Sequence, residues 1–335
     1  MENDGLSKID VILPFHRIDD FLIQSVNSIC AQSHVKVNLI LVDDRVNATP
    51  EFKLSNLEYV VVYSGGIGYR RALQLGVLRS ENRYLAFQDS DDVSSSNRLS
   101  IQLRKLRDEN LAVVGCKMGR LDEKGRFLIP SPQLKGEIKN SQPLLLGSQA
   151  ANSTWLIDSS KFDKDHWSLL QSASPDWELA FSVFGKHKVF IINEYLYFYR
   201  QHQDQLTRNI EYETRHFQDM YPIWRRTCES IGIPVLQLEE AWLFATGRAS
   251  YVRLSSKIYT WSLRLIGMKN ITSLLRWQLL VVVSFRLARN QFRKPSWLNM
   301  LVAIPWLIIL GVWYFLDILK TPMYYLRVLG GQRIV

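Results

Sequence analysis

Short apolar runs rich in β-branched residues alternate with amphipathic stretches along the first third of the chain. The runs are residues 9–13, 37–42, 59–63 and 84–87. Apolar residues at helical spacing lie between the first two runs (18–34) and between the last two (70–79). Strands that alternate with helices of this length predict βαβ units with right-handed crossovers. The predicted fold class is therefore α/β, with a Rossmann-like, mostly parallel and doubly wound sheet.

Each of these four runs ends in polar or flexible residues. In chain order the endings are Pro14-Phe15-His16-Arg17, then Asp43-Asp44-Arg45, then Gly65, Gly66 and Gly68, and finally Asp89, Asp91 and Asp92. Because the carboxyl ends of parallel strands line up at one edge of a sheet, we expect these groups to meet in one crevice suited to a base, a ribose, phosphates and an ion. The glycines alone are also compatible with a simple turn, since GGIG is not a dinucleotide-binding fingerprint.

The acids in "QDSDDVSSS" follow directly on a run that reads as a buried strand. Neighbouring carboxylates repel one another and raise each other's pKa unless a cation lies between them. An Asp-x-Asp pair suits a hard divalent ion, which prefers oxygen ligands. The alternative is a polar turn followed by a helix N-cap, because Asp and Ser are also common there.

The composition describes a chain that can bury a large core, with 335 residues of which 47% are hydrophobic. Cys30, Cys116 and Cys228 are scattered singly, which argues against a disulfide framework and a zinc site and favours a reducing compartment. The polar start, MENDGLSKID, does not resemble a secretory signal. We therefore expect the catalytic part to stay in the cytoplasm.

Basic charge is concentrated in the last part of the chain. Residues 245–335 hold 13 Lys and Arg against one acid, Asp317, and include the apolar stretches 277–285 and 300–316. Such stretches are too apolar for a solvated nucleic-acid face, so a membrane surface is the predicted partner and nucleic acid is not. The 17 uncharged residues of the second stretch reach only about 25 Å as a helix, against about 30 Å for a bilayer core. A span, a kinked hairpin, an interfacial helix at 297–319 and a buried core helix all stay open.

Four blocks taken together resemble the successive motifs of family 2 glycosyltransferases with the GT-A fold. They are VILPFHRIDDFLIQSVNSICAQ, LILVDDRVNAT, GGIGYRRALQLGV and YLAFQDSDDVSSSNRL. A later block, at 174–208, resembles the acceptor side of that family. The resemblance implies a GT-A domain at 1–208, with a nucleotide-sugar half to about residue 115 and an acceptor half at 116–208. A helical extension (209–255) and basic, membrane-associating helices (256–335) would follow.

The resemblance also implies roles for the residues of the first half. Pro14 would shape the nucleotide pocket, Asp43 or Asp44 would contact the base or ribose, and Gly66 would lie near the donor. Asp91 would bind a divalent metal, Mn²⁺ or Mg²⁺, on the donor diphosphate. Asp89 would support both the ribose and the metal.

In the second half, PDWEL resembles the block in which an Asp is the catalytic base of inverting members, which implies Asp176. Pro175 replaces the usual Glu of that block, and Glu178 is a candidate to compensate. The alternative for Asp176 is an N-cap of a helix at 177–184. Arg200 and His202 match an Arg-x-His element, which implies a diphosphate clamp and a metal ligand; the alternative for His202 is a surface histidine.

The predicted function is transfer of a sugar from a nucleotide-sugar, most simply a UDP-sugar, to a hydroxyl group with inversion. The acceptor would be a membrane-linked glycan or a polyprenyl-diphosphate-linked glycan, met at the cytoplasmic face of the inner membrane. Two alternatives remain at this point: a nucleotidyltransferase, and a nucleotide-binding membrane scaffold without catalysis.

Overall fold

The computed structural model describes most of the first 241 residues. The described residues are 6–47, 58–128, 133, 135–139, 141, 144, 151–172, 175–203, 205, 210–232, 234–238 and 241. Side chains at 164, 171 and 210–217 are outside this description. The predicted helical extension (209–255) is therefore described in part, and the predicted membrane-associating helices (256–335), including 297–319, lie outside the described residues.

Strands and helices alternate through the first hundred residues, as the apolar runs predict. The α-helices are α1 (Asp20–Cys30), α2 (Tyr69–Leu78), α3 (Arg98–Asp108), α4 (Pro175–Val183) and α5 (Ile210–Ser230). The strands are β1 (Lys8–Phe15), β2 (Lys36–Asp43), β3 (Glu58–Tyr63), β4 (Tyr84–Phe87), β5 (Val93–Ser94), β6 (Val113–Leu121), β7 (Phe127–Leu128), β8 (Gly136–Ile138), β9 (Leu156–Asp158) and β10 (Val189–Arg200). Short 3-10 helices lie at Asn152–Thr154, Ser159–Lys161 and Lys164–Gln171.

One mixed sheet contains all the strands of the described residues. Its order is β3-β2-β1-β4-β9-β6-β10-β5, with β7 beside β6 and β8 beside β10. The block β3-β2-β1-β4 is parallel, and so is the pair β6 and β10. Strand β9 is antiparallel to both of its neighbours, and β5, β7 and β8 are also antiparallel to theirs. The sheet is thus mixed, and the predicted parallel arrangement is found in the block β3-β2-β1-β4 and in the pair β6 and β10.

The helices bury one face each, at the spacing that their sequences show. In α1 the buried apolar residues are Leu22, Val26 and Ile29, and the carboxylate of Asp19 caps the helix by accepting from the amide of Leu22 at 3.0 Å. Helix α2 packs on β1 and β2. A Cβ atom at Gly76 would lie 2.5 Å from Ile12 Cγ2, so this glycine permits the close approach of α2 to the sheet.

The described residues up to Trp224 form one compact unit, and those from Arg225 onward belong to a second. Among the described residues, no helix combines the length and the apolar character needed to cross a bilayer.

Candidate active site

The carboxyl ends of the first four strands meet at one edge of the sheet. Phe15 at the end of β1 is in register with Asp43 at the end of β2, and Asp43 is in register with Tyr63 at the end of β3. Pro14 is buried in β1 opposite Val42. The residues that are predicted to bind the nucleotide-sugar at the ends of β1 and β2 therefore share one edge of the sheet, as the sequence indicates.

Asp43 and Asp44 are both engaged in hydrogen bonds within the protein. The buried carboxylate of Asp43 forms a bidentate pair with Arg45, with Nε–Oδ1 at 2.9 Å and Nη2–Oδ2 at 2.7 Å. Asp44 accepts from the hydroxyl of Ser64 at 2.6 Å and from the amides of Ile67 and Gly68 at 2.8 and 2.9 Å. In this structure Asp44 therefore fixes the glycine loop that opens α2.

The loop needs its glycines for backbone conformation. Gly66 and Gly68 have φ angles of +81° and +88°, which side chains with a Cβ atom rarely adopt. A Cβ at Gly66 would also lie 2.7 Å from Val46 Cγ2. Gly66 thus keeps the loops after β2 and β3 in close contact beside Asp44.

Asp91 and His202 come together from distant parts of the chain. Oδ2 of Asp91 lies 2.9 Å from Nε2 of His202, and the imidazole ring lies 5.2 Å from the ring of Phe21. The Asp91 side chain is 30% exposed and that of His202 is 6% exposed. We call Asp89, Asp91 and Asp92 the acidic cluster. His202 is in contact with this cluster and is not a surface histidine.

Asp89, which is half-buried, and Asp92, which is fully buried, flank Asp91 in sequence. Burial first, and then the charge of Asp91, raises the pKa of Asp89 to about 6. Burial and the charges of Asp91 and Asp89 raise the pKa of Asp92 well above its usual value. Asp92 Oδ1 accepts from the amide of Arg200 at 2.8 Å, while its buried Oδ2 has no partner among the described residues.

The acidic cluster has the chemistry of a divalent-cation site. Within the described part of the chain, no three His, Cys, Asp or Glu side chains are grouped as a metal-ligand set. Asp91 and His202 are nevertheless in contact, and the charge of Asp91 raises the pKa of Asp89. Carboxylates that repel one another, with an imidazole beside them, are ligand types that suit a divalent cation.

Arg200 lies behind this cluster and is almost fully buried, with 1% of its surface exposed. Its Nε donates to the carbonyl oxygen of Asp91 at 3.0 Å, and its Nη2 donates to Gln24 Oε1 at 2.8 Å. The guanidinium carbon lies 4.8 Å from the centre of the Phe21 ring. These contacts favour a positioning role for Arg200, which fixes the backbone of Asp91, over direct contact with a diphosphate.

Asp176 is the second residue of α4, so it lies inside the first helical turn and not at the cap position before residue 177. Burial, together with the negative charge of Asp89, raises the pKa of Asp176 to about 7. A carboxylate with a pKa near neutrality is suited to take a proton. The structure thus brings Asp176 within electrostatic reach of the acidic cluster.

The sequence reading missed three residues that hold Asp89 in place. The hydroxyl of Tyr69 donates to Asp89 Oδ1 at 2.9 Å, and the amide of Asp89 donates to the hydroxyl of Tyr197 at 3.1 Å. Fully buried Arg98 stacks on Tyr197, with the guanidinium carbon 4.9 Å from the ring centre. A signal was present for Tyr69, which directly follows the glycine loop; Tyr197 and Arg98 read as ordinary strand and helix residues.

Comparison with protein families places this site in a known group. Residues 10–162 match the family model described as glycosyl transferase family 2. The chain carries a family 2 glycosyltransferase domain. The match includes the strand-end edge and the acidic cluster, and it ends before Asp176, Arg200 and His202.

Curated relatives of this glycosyltransferase domain come from bacteria. An uncharacterized glycosyltransferase of Rickettsia bellii is 28% identical over 126 residues, which is 36% of this chain and 18% of that protein. The O-antigen biosynthesis glycosyltransferase WbnJ of Escherichia coli is 30% identical over 131 residues, which is 37% of this chain and 51% of that protein. The chain thus spans less than two thirds of the length of either relative.

Solved structures include S. aureus TarS, residues 1–349, in complex with UDP-GlcNAc. The TarS sequence is 13% identical to that of this chain. The TM-score is 0.49, and the alignment covers 84% of this chain and 80% of the TarS chain.

Proposed function

We propose that the chain is an inverting, metal-dependent glycosyltransferase of the GT-A type that uses a nucleotide-sugar, in the simplest case a UDP-sugar. The observation that carries the proposal is the contact of Asp91 with His202 beside Asp89, with Asp176 in electrostatic reach, in a family 2 domain.

Asp91, Asp89 and His202 would hold the divalent cation, Mn²⁺ or Mg²⁺. When bound, such a cation stabilises the negative charge that develops on the departing diphosphate. Asp44 and Gly66 shape the loop beside the nucleotide pocket, and Pro14 and Asp43 form its floor at the ends of β1 and β2. Arg200 keeps the Asp91 backbone in place through its hydrogen bond to the Asp91 carbonyl.

Asp176 acts as the base. Its carboxylate takes the proton of the acceptor hydroxyl while the hydroxyl oxygen forms a bond to the anomeric carbon of the donor. The bond from that carbon to the diphosphate oxygen breaks, and the nucleoside diphosphate leaves with the electron pair. Attack from the face opposite the leaving group inverts the anomeric configuration. A pKa of about 7 makes Asp176 a competent base near neutral pH.

The acceptor is proposed from the chain's composition and from its relatives. Residues 245–335 are basic and interleaved with apolar stretches, which suits docking to an anionic membrane surface. One relative is described as acting in O-antigen biosynthesis. We therefore place the enzyme at the cytoplasmic face of the inner membrane, acting on a membrane-linked glycan or a polyprenyl-diphosphate-linked acceptor in surface polysaccharide synthesis.

The test is nucleotide release by the purified, detergent-solubilised full chain from UDP-, GDP- and dTDP-sugars, with Mn²⁺ or Mg²⁺ and then with chelator. We expect release from one donor class, lost with chelator and reduced at least about 100-fold by Asp91→Asn. Asp108→Asn, the same change at an exposed position at the end of α3, is the control and keeps full activity. Absence of turnover with every donor, even after adding a polyprenyl-linked glycan extract, would leave a non-catalytic scaffold as the better description.

A further inference from the structure

Two tyrosines bind the carboxylate of Asp89, one at each oxygen. The hydroxyl of Tyr69 donates to Oδ1 at 2.9 Å, and the hydroxyl of Tyr197 donates to Oδ2 at 3.4 Å. Tyr197 is fully buried, whereas Tyr69 is 40% exposed. The same carboxylate is thus held by one tyrosine inside the core and one that faces the crevice.

The first turn of α2, which begins with Tyr69, also contacts the segment that leads into α4. The neighbouring residue, Arg70, donates from Nη1 to the carbonyl of Ser172 at 2.9 Å, four residues before Asp176. The first turn of α2 is therefore attached both to the acidic cluster and to the segment that leads into α4.

This position matters for an inverting transfer. The reacting carbon must lie between the leaving diphosphate and the attacking hydroxyl, so the transferred sugar occupies the space between the cluster of Asp91 and His202 and the base. Tyr69 contacts Asp89 of that cluster, and its neighbour Arg70 contacts the segment that leads into α4 and Asp176. An exposed side chain in this place borders the volume that the sugar would fill.

We propose that Tyr69 contacts the transferred sugar and determines which sugar the enzyme accepts. This inference rests on the proposed function. Because the Tyr69 proton is directed at Asp89, the lone pairs of the phenol oxygen remain available to accept a hydrogen bond from a sugar hydroxyl. The exposed ring adds an apolar surface for the C–H face of a pyranose. Tyr69 would thus favour donors that place a hydroxyl toward it over epimers that place it elsewhere.

The test compares two tyrosine variants that share one target carboxylate. For the full chain in detergent, kcat/KM for nucleotide release is measured with UDP-glucose, UDP-galactose and UDP-N-acetylglucosamine. Tyr69→Phe removes a hydroxyl that faces the crevice, and Tyr197→Phe removes a buried one from the same Asp89. Tyr59→Phe, at a partly exposed position near the start of β3 and away from the edge with the strand ends, is the matched control.

We expect Tyr69→Phe to change the ratio of kcat/KM between the preferred and the next donor by about 3- to 10-fold, the value of one neutral hydrogen bond. Tyr197→Phe should lower kcat/KM for all donors by one common factor, because it acts only through Asp89. An unchanged donor ratio in Tyr69→Phe, or an equal change of that ratio in Tyr197→Phe, would overturn the inference while leaving the proposed function intact. If the wild-type chain releases nucleotide from no donor, both fall together.

Discussion

Nε2 of His202 lies 2.9 Å from Oδ2 of Asp91, although 111 residues separate them in the chain. The imidazole is nearly buried, while the carboxylate is about one-third exposed. His202 therefore orients Asp91 from the protein side and leaves the carboxylate facing the crevice.

This relationship predicts a metal-specific effect of His202→Asn. Losing a group that orients or ligates at a metal site typically weakens metal affinity about 10- to 100-fold. We expect the Mn²⁺ concentration that gives half-maximal nucleotide release to rise by that factor, while activity at saturating Mn²⁺ recovers in part. His34→Asn is the control, because His34 is exposed and its φ of 59° suits Asn. A Mn²⁺ dependence like that of wild type would exclude His202 from the metal site.

Asp176 as the base predicts a rising pH profile. The carboxylate is active when deprotonated, so log kcat should rise with pH below about 7, the pKa of Asp176, and level off above it. Asp176→Asn should lower kcat by about 10²- to 10⁴-fold at pH 8. Glu178→Gln, two residues along α4, tests whether a second carboxylate replaces the Glu missing at Pro175. Full activity of Asp176→Asn together with a large loss in Glu178→Gln would assign the base to Glu178.

Asp176 also affects how stability changes with pH, and stability changes in the opposite direction to kcat. The pKa of Asp176 is higher in the folded chain, at about 7, than the usual 3.8, so the folded state binds more protons than the unfolded state between these values. Stability therefore falls as pH rises through this window. Asp176→Asn, which stays neutral, should unfold at a higher temperature than wild type at pH 8 and at the same temperature near pH 4. Equal melting temperatures at both pH values would show that Asp176 is not desolvated.

We expect substitution of Arg98 to cause a large loss of stability. Its buried guanidinium donates to Ser153 O at 2.7 Å, Ser94 Oγ at 2.9 Å and Gln88 Oε1 at 3.2 Å. Arg98→Met keeps much of the volume, but Ser153 O and Ser94 Oγ lose their Arg98 donor, at about 1–3 kcal/mol each. Gln88 Oε1 still accepts from the hydroxyl of Ser94 at 2.7 Å. We expect the free energy of unfolding in urea to fall by at least about 3 kcal/mol.

The control for Arg98 lies on the same helix. Arg104 is exposed on α3, and Arg104→Met should change the free energy of unfolding by less than about 0.5 kcal/mol. A similar small change in Arg98→Met would mean that water replaces the lost hydrogen bonds.

The hydrophobic pattern of the sequence is enough to predict the strands whose ends carry the residues proposed to bind the nucleotide-sugar. β1, β2, β3 and β4 are long or fully buried runs, and their parallel register places Phe15, Asp43 and Tyr63 at one edge. Strand β9 could not be predicted in the same way, because its three residues are too few to show an alternating pattern. Its antiparallel insertion between β4 and β6 separates the two parallel parts of the sheet.

The acids of the site could be predicted, but the groups that hold them could not. Asp89 and Asp91 stand out because charge is unusual beside a buried run, whereas Asp176 is predicted from the resemblance of PDWEL to a family motif. Tyr197 and Arg98 are an aromatic residue in a strand and a cation in a helix, and their pairing depends on tertiary contacts that no local pattern encodes. The resemblance of the Arg-x-His element predicts a diphosphate clamp at Arg200, whereas the buried side chain donates hydrogen bonds to the Asp91 carbonyl and to Gln24.

The long chain separation between Asp91 and His202 has a consequence for biosynthesis. Strand β10 pairs with β5 just beside the acidic residues, so the site is complete only when β10 is in place. Contacts between residues so far apart in sequence form slowly, since the intervening chain must first be ordered. A nascent polypeptide that has emerged only as far as β9 already contains all three acids of the cluster but not their histidine. The candidate site is therefore completed late in synthesis, after most of the strands have emerged.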